Sequence, residues 1–175
     1  MPTMRRITMP NWCQNEVTVT ATDRGKTKAF VDFVREGNSY FSFSKIVPMP
    51  KELKGTRSPA TIVTQEEYDS WVDDTNLGVG KPITQEMSDR FNKEYGYDNW
   101  YDWAVANWGT KWDTACEEVI IDDWGGVKYK FFTAWGPPIP IYNTLLKLFP
   151  KLNISWFYRE DGMQTAGWLK NEWIR

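Results

Sequence analysis

Two pairs of adjacent acids, Glu117-Glu118 and Asp122-Asp123, come nearest in this sequence to a catalytic constellation. Clustered carboxylates are the donors that a hard cation such as Mg²⁺ takes. Neighbouring side chains on a strand, however, point to opposite faces, so each pair splits across the sheet. A solvated face is their plainer use, and no metal site is expected. The sequence contains no histidine. That excludes a Ser-His-Asp or Cys-His nucleophile, an HExxH zinc site and an imidazole proton shuttle. Carboxylates, lysine and tyrosine remain for acid–base work. Cys13 and Cys116 form no CxxC pair and read as reduced, packing cysteines. The expectation is therefore a protein that is not an enzyme and carries no cofactor.

Binding chemistry is better represented. Residues 58–123 hold 15 acids and 4 bases, net −11, while the remainder holds 8 acids and 17 bases, net +9. A split of this size points either to an acidic surface offered to a basic partner or to a basic sheet offered to nucleic acid. It also fits an acidic insert neutralising its own sheet. No Lys or Arg lies between Arg57 and Lys81, so Glu66, Glu67, Asp69, Asp73 and Asp74 are the candidate residues of an acidic partner-binding surface. On the nucleic-acid reading, Lys128, Tyr129, Lys130 and Phe131 share one strand and supply cations and stacking rings. That stretch lacks the glycines of an RNA-recognition signature, and the pI of about 5.3 weighs against it.

The elements that must position these residues follow from periodicity. At 175 residues, 41% apolar and 25% charged, the chain is the size and composition of one globular domain, or one with a large insertion. Residues 1–10 lack the apolar run of a secretory leader, and no stretch is long and apolar enough to span a membrane. Strands are expected near 15–21, 41–47, 127–135, 152–159 and 164–173, with a short one at 116–122. In the 127–135 strand, alternation sets Val127, Tyr129 and Phe131 against Lys128, Lys130 and Phe132. Helices are expected after Asp23, after the capping box Thr64-Gln-Glu-Glu67, over 84–95 and over 141–149. Another runs from an N-cap at Asp98 to Gly109. This last segment crowds in Trp100, Trp103, Trp108 and Trp112, read as the structural core, each large aromatic burying roughly 150–250 Å². The order predicts an α+β fold: a ferredoxin-like antiparallel sheet with helices on one face, plus an acidic Trp-rich helical insertion. The first half of the ferredoxin-like domain is 1–53, the insertion 54–123 and the second half 124–175.

Five stretches carry a family resemblance: Met9-Pro-Asn-Trp-Cys-Gln-Asn15, Ile46-Val-Pro-Met-Pro-Lys-Glu-Leu53, Tyr95-Gly-Tyr-Asp-Asn-Trp-Tyr-Asp-Trp103, Asn107-Trp-Gly-Thr-Lys-Trp-Asp113 and Thr133-Ala-Trp-Gly-Pro-Pro138. Together they resemble the Api92/YubB-like proteins of bacteriophages and conjugative plasmids. The resemblance implies a ferredoxin-like domain and a start near Met9, with Met1–Thr8 an extension that adds Arg5 and Arg6. Members tend to carry Ser where Gly136 stands. It brings no catalytic residue. The expectation is an accessory protein in the bacterial host cytoplasm that binds and inhibits a host protein or defence complex through its acidic surface. Single-stranded nucleic-acid binding is the alternative, and no membrane association is expected.

Overall fold

A computed structural model describes residues 11–71, 80–116 and 118–170. Its framework is a mixed α+β arrangement around a five-stranded antiparallel sheet. The chain runs through β1 (Trp12–Thr20), α1 (Arg24–Val34), α2 (Phe43–Ile46), β2 (Ile62–Val63), α3 (Gln65–Ser70), β3 (Ile83–Thr84), α4 (Gln85–Tyr95) and α5 (Trp100–Trp108). It continues through β4 (Glu118–Ile121), β5 (Val127–Ala134), α6 (Ile139–Leu148), β6 (Asn153–Glu160) and β7 (Thr165–Trp168). The sheet order is β4-β5-β1-β6-β7, and the short β2 and β3 pair in parallel beside it.

Strand β1 is the central strand because its alternation is strict. Cys13, Asn15, Val17 and Val19 are buried while the residues between them are not. Its inner face meets Tyr129 and Phe131 of β5 and Trp156 of β6, and helices α1 and α6 cover them. Phe30 of α1 packs on Tyr129, and Tyr142 of α6 sets its ring edge-on to Trp156. Phe41 lies at the middle of this aromatic interior, against Phe30, Phe43, Tyr129, Phe131 and Trp156. A satisfied polar network pins the register of three strands. The Asn15 amide donates to the Cys13 carbonyl and the Thr133 hydroxyl, and its oxygen accepts the Trp156 indole N–H at 3.0 Å. A one-residue slip would strand all of these groups in the core.

Several expectations are corrected here. The 41–47 stretch is not a strand: Ser42 caps α2, and both Phe41 and Phe43 still reach the core. The reason is a long-range cap, since the Asp113 carboxylate accepts the backbone N–H groups of Phe43 and Ser44 at 2.6 and 2.9 Å. Beside β5 the edge strand is β4 instead. Helix α5 is capped by Asn99 rather than Asp98, whose carboxylate accepts the Ser88 hydroxyl and ties α4 to α5. Trp103 and Trp108 are buried and Trp100 packs partly buried against the core, but Trp112 is 43% exposed and not a core residue. The return strand stops at Trp168. The capping box of α3 and the helix over 85–95 form as the sequence predicts. Among the described residues, no helix is long and apolar enough to cross a membrane.

Candidate binding surface

Among the described residues, one face of the sheet carries no helix. Antiparallel partners point the same way, so the registers assemble this outer face directly. One row reads Ala166, Arg159, Gln14 and Phe132. The next reads Trp168, Phe157, Glu16, Lys130 and Glu118, and a third Ser155, Thr18, Lys128 and Ile120. Phe132 and Trp168 are each 58% exposed, and Trp168 packs on Phe157 with ring centroids 5.2 Å apart. This exposed aromatic area, ringed by charge, is the chain's candidate binding surface. Glu16 sits between the two lysines, 2.8 Å from Lys128 and 3.9 Å from Lys130. These pairs are open to water, so they hold the lysines lightly.

At one end of the sheet this face runs into an aromatic rim. Trp12 and Trp112 pack at 6.1 Å, and with Phe132, Asp113 and Thr133 they line a cavity of about 240 Å³. The Lys111 ammonium lies 3.8 Å from the ring centre of Trp112 and 4.8 Å from that of Trp135. Tyr101 meets Trp135 edge-on. Trp135 has φ 71, a left-handed conformation that costs a bulky side chain strain. Its N–H donates to the Asn11 carbonyl, and its ring remains half-exposed.

The Asn107–Asp113 string builds this rim. The Trp108 indole is buried and donates to the Val47 carbonyl. Gly109, at φ +82, closes α5, and a Cβ there would lie 2.8 Å from Pro140. Thr110 exchanges hydrogen bonds with the backbone of Ala134. The chain is thereby clamped to β5 just ahead of Lys111 and Trp112, which are left facing outward. Asp113 turns back to cap α2.

The residues singled out from the sequence fall unevenly. Lys128 and Lys130 lie on the outer face, but Tyr129 and Phe131 are buried beneath it and cannot stack on a ligand. The outward rings are Phe132, Phe157 and Trp168. The alternation that opposed Lys128, Lys130 and Phe132 to Tyr129 and Phe131 already contained this, whereas the register of the β6–β7 hairpin, which sets Trp168 beside Phe157, did not show in the sequence. Glu66, Glu67 and Asp69 are exposed on α3, and none of the ion pairs among the described residues involves them; Asp73 and Asp74 lie outside the described residues. Two of these acids are already engaged. Glu67 closes the capping box with Thr64, whose backbone N–H and hydroxyl hold its carboxyl below the usual range, and Asp69 accepts from Gln65.

The paired acids do not converge. Glu118 faces Lys130 across the strands, Asp122 accepts the N–H groups of Trp124 and Gly126, and Glu117 lies outside the described residues. Among the described residues, no group of three metal-ligating side chains comes together. Both cysteines are buried; burial pushes the Cys13 thiol up to about 11 and raises Cys116 as well, so neither is poised as a thiolate.

No protein-family model and no curated protein matches the chain. Among solved structures, the crystal structure of a protein api92 from Yersinia pseudotuberculosis, of the DUF1281 family-model, superposes with a TM-score of 0.51 at 11% identity. The match covers 91% of this chain and 93% of that one. The chain thus has an Api92-like fold, a distant relationship of architecture.

Proposed function

We propose that this protein is a non-enzymatic accessory protein of a phage or conjugative plasmid that works in the host cytoplasm by binding, and that its open sheet face takes single-stranded nucleic acid. The observation that carries the reading is the outer face itself. Phe132, Phe157 and Trp168 stand outward among Lys128, Lys130 and Arg159, and the Trp12–Trp112 rim continues from Phe132. Rings for base stacking among cations for the backbone are what sequence-tolerant single-strand binding needs. The strand order supports a ferredoxin-like topology beneath it: β5–α6–β6 crosses over β1, and β4 lies beyond β5. Anisotropy titration of labelled mixed-sequence 12-mers of DNA and RNA tests the reading. Binding that weakens steeply with salt is expected, and combined Phe132→Ala and Trp168→Ala should weaken it at least tenfold, since stacking contributes about 1–3 kcal/mol per base. No binding at low salt, or binding indifferent to both substitutions, would sink it.

A second reading rests on α3. Glu66, Glu67 and Asp69 face water, and none of the ion pairs among the described residues reaches them. They remain available to a basic channel on a host nuclease or other defence complex, where an acidic surface would block nucleic acid. Affinity capture from host lysate that is lost on charge reversal of Glu66 and Asp69 would favour this reading over the first.

A further inference from the structure

We infer that the free edge of β4 is a docking site for an extended, basic-flanked peptide of another protein, added to the sheet as a sixth strand. Strand β4 is terminal in the sheet, so the backbone groups on its outer side have no neighbouring strand among the described residues. The loop at Ser39–Tyr40 hydrogen-bonds to Cys116 just upstream and stops short of the strand. Natural edges are guarded by lysine, proline or a bulge. This one instead exposes Ile120 on the outer face, Ile121 (62% exposed) on the inner face and Trp124 (85% exposed) in the turn that follows.

The inner side offers a place for side chains. Between α1 and the β4–β5 turn lies a groove of about 350 Å³, floored by Thr27, Val31, Ile121 and Val127. Arg24 and Lys28 stand at its rim but are held by the Asp123 carbonyl and by Asp32. A strand hydrogen-bonded to β4 would send alternate side chains over this groove, beside Ile121. Main-chain pairing then supplies affinity and the groove selects apolar, β-branched residues.

Charge decides the occupant. Exposed acids stand at both ends of the strand, Glu118 at one and Asp122 and Asp123 at the other. A second copy paired antiparallel would bring Glu118 against Asp122 or Asp123 of its partner, which disfavours self-association. A peptide with Lys or Arg on both sides of a short apolar core meets the same acids favourably. The inference does not depend on the nucleic-acid reading, which uses side chains of the outer face, whereas the peptide pairs with the backbone edge of β4.

Selection of a displayed library of random nonapeptides on the full chain tests it. Enrichment of alternating Val, Ile or Thr flanked by Lys or Arg is expected, and the best peptide should slow hydrogen exchange at residues 118–121. Ile121→Lys should weaken that peptide at least tenfold; its side chain is exposed, so the fold stands. The double variant Glu118→Lys with Asp123→Lys should shift selection to acid-flanked peptides, while Phe132→Ala leaves peptide binding unchanged. Failure to enrich, enriched peptides indifferent to both edge variants, or a concentration-dependent dimer that excludes peptide would each overturn it.

Discussion

Cys13 shows how much a single residue can reveal about this sheet. It lies in the interior at the join of β1, β5 and β6, and burial is the main reason its thiol titrates near 11, against an ordinary value of 9.0. The folded value is raised, so the neutral thiol stabilises the fold. That contribution is complete below about pH 9 and is lost as pH climbs toward 11. A shift of this size corresponds to about 3 kcal/mol. The melting midpoint should therefore fall between pH 9 and 11, and fall less in Cys13→Ala. Tyr129 works in the same direction, its hydroxyl buried without a hydrogen-bond partner among the described residues. Thiol-reactive dye at pH 8 should label neither cysteine until denaturant is added.

Elements here are held together by side chains distant in sequence. Helix α2 is too short to form on its own, as nucleating a helix costs more than a single turn returns. It exists because Asp113 supplies acceptors for Phe43 and Ser44, with Ser42 donating to the same carboxylate. Asp113→Ala leaves those partly buried N–H groups without partners and should cost roughly 2–3 kcal/mol, with Asp113→Asn losing less. Urea midpoints measure both. Helix α5 is anchored otherwise, by apolar burial. Trp103 packs edge-on to Trp108, and Trp108 meets Phe43. Trp103→Ala should destabilise the fold by about 3–5 kcal/mol. A variant melting at the parental midpoint would show that α5 is peripheral.

Across the whole molecule, the acidic and basic halves do not neutralise each other through the residues described. Lys128 and Lys130 pair with Glu16 of their own sheet, and the acids of α3 stay in water. Reversing Glu66 and Asp69 to Lys should thus leave stability within about 0.5 kcal/mol. Glu67→Lys should lower the melting midpoint further than either, because that carboxylate closes the capping box. If the Glu66 and Asp69 reversals proved strongly destabilising, the acids would belong to the fold, and the host-factor reading would lose its support.

Local patterns were legible in the sequence by themselves. The alternation of β1 and β5, the capping box of α3, the glycine ending α5 and the burial of Trp103 and Trp108 all follow from side-chain period and backbone chemistry within a few residues. The opposition of Lys128, Lys130 and Phe132 to Tyr129 and Phe131 was likewise legible, although the candidate stacking rings belong to its buried side. Only the tertiary structure decided that 41–47 turns into a helix, because the carboxylate capping it comes from Asp113. Tertiary structure alone also drew Trp112 out of the core to meet Trp12, and the register of the hairpin set Phe157 beside Trp168 on the outer face. Those choices depend on which strands pair and which loops are clamped to them. Periodicity assigns a side chain to one face of its own element, but what lies opposite that face is settled by contacts with other elements.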